Sequence, residues 1–195
     1  MNDQEYEEIL NDIGKYIVLG KDGNNSNNLP SKSIILSGSF NPLHDGHIKL
    51  LNVAKSITNL NPFFEISISN VDKKNINLNN LNYRINQFTN VGNLIITNSP
   101  TFEDKSNIFK ESIFVIGYDT ALRVMDKKYY KKDIKKSLEI IINNYCKFLV
   151  AGRSINNNYK NLEDIDLPDI YKDLFINLPQ EKFRADLSST ELREN

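Results

Sequence analysis

At 195 residues, with 24 Lys and Arg balanced by 25 Asp and Glu for a net charge of −1, the chain has the size of one compact α/β domain. A pI near 6.2 gives no electrostatic footing for a general nucleic-acid or membrane-surface binder. A single cysteine excludes an intramolecular disulfide, no apolar run is long enough to span a bilayer, and the acidic opening Met1-Asn2-Asp3-Gln4-Glu5 is unlike a signal peptide, so a soluble cytoplasmic or nuclear protein is expected.

Tyr6, Ile9, Leu10, Ile13 and Ile17 fall at helical spacing and predict an amphipathic N-terminal helix, followed by a flexible loop to Pro30. Residues 1–30 carry no motif and read as a helical appendage outside the site, leaving 31–195 as the functional domain. The first core strand is expected at about Ser33–Ser37, followed by a glycine turn and a helix from near Gly46 to Ser56. A second strand at about Phe64–Ser69 leads to a helix at Leu81–Thr89 and a third strand at Leu94–Thr97. A fourth strand at Ser112–Gly117 precedes a strong helix at Lys132–Asn143, with last strands at Lys147–Gly152 and Leu174–Leu178. Strands separated by helices imply parallel βαβ units, so the expected fold is α/β: a parallel sheet of about five or six strands with helices on both faces. The asparagine tracts at residues 24–28 and 156–158 read as compositional bias in loops.

In an open parallel sheet the ligand sits beyond the carboxyl ends of the strands, where the strand order reverses. The first strand delivers Gly38-Ser39-Phe40-Asn41-Pro42, then His44 and His47, the only histidines of the chain, flanking Gly46. A strand feeding a helix through a glycine turn makes an anion site, because free N–H groups and the positive end of the helix dipole point the same way. Metal binding is the plain alternative for two histidines, but a zinc site wants three or four ligands and Cys146 has no partner nearby, so no metal site is expected. After the second strand come Lys73 and Lys74, a phosphate-ligand candidate pair or simply a solvated one. The fourth delivers Gly117, Tyr118 and Asp119, where Asp119 could be no more than a helix N-cap. The fifth delivers Arg153. Arg84, on the helix after the second strand, is a weaker phosphate or acceptor candidate, as is Arg153. Near the C-terminus Ser188, Ser189 and Thr190 open a short helix with Glu191 and Arg193. Ser188 and Glu191 have capping-box spacing, and a capped helix N-terminus is also an anion site, to which Arg193 adds a planar donor fork.

The string Gly38-Ser39-Phe40-Asn41-Pro42-Leu43-His44-Asp45-Gly46-His47 resembles the signature of the HxGH nucleotidyltransferase superfamily, adenylyl- and cytidylyltransferases that share a Rossmann-like, HIGH-type domain. Asp186-Leu187-Ser188-Ser189-Thr190-Glu191-Leu192-Arg193 resembles its Ile-Ser-Ser-Thr-x-x-Arg motif, with Leu187 in place of isoleucine. The opening of the first motif is similar to that of nicotinamide mononucleotide adenylyltransferases, and the chain also resembles a branch labelled only cytidylyltransferase-like. The resemblance implies catalytic roles for His44, His47 and Arg193, and nucleotide contacts at Gly38, Ser39, Phe40, Gly46, Gly117, Asp119, Ser188, Ser189 and Thr190. It implies phosphate or acceptor contacts for Lys73 and Lys74, ATP as substrate, and Mg²⁺ held mainly by the nucleotide's own oxygens and water.

The resemblance therefore implies adenylyl transfer to nicotinamide or nicotinate mononucleotide, a step of NAD biosynthesis, with small nucleotides as partners and neither nucleic acid nor membrane. The alternatives are a cytidylyltransferase or phosphopantetheine-type adenylyltransferase, or a nucleotide-binding or NTP-hydrolysing regulator without acceptor chemistry. A homo-oligomer is compatible with the sequence. The nicotinamide enzymes commonly stack a tryptophan on the pyridine ring. This chain has none, and Phe102, Tyr118, Tyr129 or Tyr130 could offer an aromatic face instead.

Overall fold

The computed structural model describes residues 1–184 except 13, 27–29, 72–73, 130–132 and 157. Its elements run α1 (Asp3–Leu10), β1 (Tyr16–Leu19), β2 (Ser33–Ser37), α2 (Asp45–Thr58), β3 (Asn61–Ser67), α3 (Leu78–Asn86), β4 (Leu94–Thr97) and α4 (Phe102–Ile108). They continue with β5 (Ile113–Gly117), α5 (Tyr118–Val124), α6 (Ile134–Asn143), β6 (Lys147–Ala151), β7 (Arg153–Ile155), β8 (Asn158–Lys160) and β9 (Phe175–Leu178).

The central sheet has seven strands in the order β1-β4-β3-β2-β5-β6-β9, and β7 and β8 form a separate two-stranded ribbon. From β4 to β9 neighbouring strands are parallel. The order runs outward from β2 in one direction through β3 and β4, and in the other through β5, β6 and β9. This is the Rossmann-like arrangement, and its reversal lies between β2 and β5. The central strands read as near-continuous apolar runs, as strands covered on both faces must. Alternate residues feed two cores: Ile34, Leu36, Phe64 and Ile66 face α2 and α3, whereas Ile35, Phe63, Ile95 and Phe114 face the side of α5 and α6.

The N-terminal segment does not stand apart as an appendage. Helix α1 stops at Leu10, and Ile17 lies in β1, which extends the sheet antiparallel to β4 from Tyr16↔Thr97 to Leu19↔Leu94. Ile9 is fully buried in the first core. Tyr6 Oη donates to Ile76 O at 2.8 Å, and Asn98 Nδ2 donates to Leu10 O at 2.7 Å. Helical spacing does not reveal β1, because a four-residue strand becomes a strand only by pairing, here with β4 about 80 residues on.

Candidate active site

The turn after β2 is held in one shape by its own aromatic ring. Gly38 still follows the sheet, donating its N–H to Glu65 O at 3.0 Å, and a Cβ there would come within 2.9 Å of the Phe40 ring. Phe40 is buried at a left-handed φ of 42°, its ring edge-on to Phe64, Phe88 and His47. Helix α3 takes the carbonyls of this loop: Arg84 Nη1 donates to Ser39 O at 2.9 Å and Gln87 Nε2 to Phe40 O at 3.1 Å. Gln87 Oε1 in turn accepts from Leu43 N–H at 2.8 Å. With the Gly38, Leu43 and His44 amides engaged and Pro42 without an N–H, the amides this loop can offer an anion are those of Ser39 and Phe40.

His44 caps α2 in an extended conformation (φ −144°) and His47 sits one turn in. The two rings stack at 3.6 Å between centroids, and His47 Nδ1 accepts from the His44 backbone N–H at 3.3 Å. Since Nδ1 accepts, the neutral ring carries its proton on Nε2 and presents an N–H there. Gly46 suits this packing, because a Cβ would press on the His44 ring at 3.0 Å.

Burial lowers the His47 pKa to about 4, with the adjacent His44 adding to the effect. Burial lowers the His44 value as well, partly opposed by Asp45. Both rings are therefore neutral at pH 7, donors without charge at the positive end of a 14-residue helix. Unfolded, His47 takes up its proton near 6.5; folded, only near 4. Between those values the unfolded state binds more protons, so stability is complete above about pH 6.5 and falls as the pH drops toward 4. Urea unfolding at pH 7 and pH 5 is expected to show the wild type losing more stability than His47→Gln. Equal losses would contradict a desolvated His47.

Across the reversal, β2 and β5 reach glycine together: Leu36 pairs Val115, and two residues on stand Gly38 and Gly117. Gly117 is exposed and a Cβ on it would meet nothing within 4 Å, so the protein's own packing does not demand glycine there. Asp119, in the first turn of α5, forms an ion pair with Arg153 at the start of the β7–β8 ribbon, both half-exposed. Arg153 and Asp119, expected as separate ligand contacts, are brought together in this pair. Gly152, just before the ribbon, allows close approach, since a Cβ would lie 2.5 Å from Tyr159 Oη.

A cleft of about 510 Å³ opens between the carboxyl ends of β2, β3 and β4 and helices α4 and α5. It shares Gly38, Ser39 and Asn41 with the turn after β2, and Lys74, Arg84 and Arg123 line it with Phe102 and Tyr129. Of the four aromatic candidates, Phe102 and Tyr129 thus face the cleft, Tyr118 is buried in the second core, and Tyr130 lies outside the described residues.

Sequence reasoning missed the base of this cleft. Glu65 of β3 and Lys105 of α4 form a buried ion pair, Lys105 Nζ donating to Glu65 Oε1 at 2.8 Å and Oε2 at 2.9 Å. The available signal was a lone charge inside the apolar run Phe63-Phe64-Glu65-Ile66. Its partner 40 residues away left no local mark.

Lys73, Ser188, Ser189, Thr190 and Arg193 lie outside the described residues. Among the described residues no group of three or more His, Cys, Asp or Glu could hold a metal ion, and no helix is long and apolar enough to cross a membrane. Cys146 is buried, its thiol pKa raised by burial, and donates to Phe109 O at 3.3 Å, a packing role.

The profile of the cytidylyltransferase-like family matches residues 35–195. No curated protein matches the chain.

Proposed function

The chain belongs to the cytidylyltransferase-like family, and from that premise we propose that it transfers the adenylyl group of ATP to a nicotinamide or nicotinate mononucleotide, releasing pyrophosphate. The observation that carries this reading is the pair of neutral, stacked histidines at the α2 N-terminus, next to a turn whose Gly38, Ser39 and Asn41 also line a cleft with cations and aromatic residues. The histidines suit a triphosphate and the cleft a phosphorylated acceptor with a flat ring.

In this reading the acceptor's phosphate oxygen attacks the α-phosphorus in line, forming the new P–O bond as the bond to the β-phosphate oxygen breaks and its electrons leave with pyrophosphate. The attacking oxygen is already ionised, so no protein base is required. Catalysis is then positioning and charge stabilisation. His47 Nε2–H and the Ser39 and Phe40 amides meet the α-phosphate. His44, Arg193 and the Ser188–Thr190 segment hold the β- and γ-phosphates; for Arg193 and that segment the assignment rests on sequence alone. Mg²⁺ would be carried by the nucleotide's oxygens and water, neutralising the departing pyrophosphate. Lys74, Arg84 and Arg123 receive the acceptor phosphate, and Phe102 or Tyr129 packs on its ring.

The test is pyrophosphate release across a matrix of NTPs and phosphorylated acceptors. Release with ATP that depends on a pyridine mononucleotide is the expected result. A requirement for CTP, or for phosphopantetheine, moves the protein to another transferase. Inorganic phosphate released without any acceptor makes it a hydrolase or regulator and overturns the reading.

A further inference from the structure

On the face of the sheet that looks toward the second core, Ile35, Phe63 and Ile95 are buried, and two residues further along each strand they give way to Ser37, Glu65 and Thr97. Ser37 and Glu65 are register partners on β2 and β3, and both line the cleft. Glu65 is 1% exposed and Lys105 5%. The ammonium has three N–H groups, and all are engaged: two on Glu65 and the third on Ser99 O at 2.6 Å. The carboxylate is less fully used. It accepts from Lys105 on both oxygens and from Thr97 Oγ1 at 2.6 Å, whereas a carboxylate offers about four acceptor positions. Beside it, Ser37 Oγ is shut off from solvent and has no hydrogen-bond partner among the described residues. Buried polar atoms are rarely left so, and a buried ion pair is weak evidence for stability. An unmet hydroxyl and a carboxylate with spare acceptor capacity, side by side at the base of a ligand-sized cleft, fit a ligand that completes them.

We propose that Ser37 and Glu65 read the end of the acceptor remote from its phosphate, and that this end is an uncharged hydrogen-bond donor, a primary amide or a hydroxyl, and not a carboxylate. The inference rests on the acceptor-cleft reading above and narrows it. Lys74, Arg84 and Arg123 are the lining cations that would take the phosphate, while the Glu65 charge is matched by the buried Lys105. An acceptor carboxylate at the base would face Glu65 with every Lys105 N–H already taken. A primary amide can give one N–H to Glu65 and meet Ser37 Oγ with the other or with its carbonyl.

Pyrophosphate release with ATP, compared for nicotinamide mononucleotide and nicotinate mononucleotide, tests this directly. The amide is expected to exceed the acid at least tenfold in kcat/KM. Ser37→Ala, which removes a hydroxyl that has no partner among the described residues, is expected to keep the wild-type melting temperature and the KM for ATP while raising the KM for the amide about tenfold, the size of one buried hydrogen bond. An acid used as well as the amide, or an unchanged amide KM in folded Ser37→Ala, overturns the assignment. If neither mononucleotide reacts, the pyridine reading fails separately, and the base of the cleft is then judged by calorimetric binding of glycerol 3-phosphate and 3-phosphoglycerate. Tighter binding of the hydroxyl compound sustains it; tighter binding of the carboxylate, or no discrimination, overturns it.

Discussion

Replacing His47 with alanine is expected to lower kcat for adenylyl transfer by about 10²–10³, the loss that follows from removing one preorganised donor to a developing charge. The KM for ATP should change far less, because a contact that strengthens only as charge builds at the α-phosphorus contributes little to ground-state binding. The geometry underlies the asymmetry. His47 Nδ1 is occupied by the His44 N–H, the ring is braced edge-on by Phe40, and its pKa near 4 keeps it neutral, so only Nε2–H is presented and it needs no reorganisation. Because the ring also packs on Phe40, the variant must first be shown folded by its far-UV spectrum and melting temperature. His47→Gln, which keeps a side-chain N–H donor, should recover part of the rate. A folded His47→Ala that releases pyrophosphate at the wild-type rate would make the histidines structural.

Lys105→Ala is expected to cost about 3–5 kcal/mol of folding stability, because it leaves the Glu65 carboxylate buried without its counter-charge. Substituting both partners, Glu65→Gln with Lys105→Met, removes the two charges at nearly constant volume and should restore most of that loss. Urea unfolding of the wild type, both single variants and the double variant closes the cycle. The contrast is diagnostic, since a pair that the fold needed for stability would not tolerate joint replacement. A loss below about 1 kcal/mol for Lys105→Ala would place the pair in the class of exposed ion pairs, contrary to its burial.

The parts of the molecule that the sequence revealed are those fixed by local chemistry. β2 and β4 fall where expected, and the start of α2 within one residue, because apolar runs bounded by glycine, asparagine and proline leave few alternatives. The two glycines of the string Gly38–His47 were readable for the same reason: their close neighbours are local, the Phe40 ring for Gly38 and the His44 ring for Gly46. Elsewhere the cues were present and went unread. Thr101 caps α4 with Asp104 at the third position, a capping box with aspartate in the acidic place, and Asn77 starts α3 three residues before the apolar pattern does. What no local reading could supply are the pairings across the fold. β1 exists by pairing with β4, Glu65 is met by Lys105, and Asp119 pairs with Arg153 from a ribbon beyond β6. The last of these joins two candidates that the sequence lists separately.

The central claim is that the β2–α2 turn directs transfer of the α-phosphate of ATP onto a phosphorylated acceptor. Its most direct test follows the fate of ATP labelled at the α- or the γ-phosphorus, incubated with protein, Mg²⁺ and nicotinamide mononucleotide and resolved by chromatography. The α-label is expected in a phosphatase-resistant dinucleotide and the γ-label in pyrophosphate, in equal amounts and only when acceptor is present. Release of the γ-label as inorganic phosphate, with the α-label remaining in ADP, would contradict it.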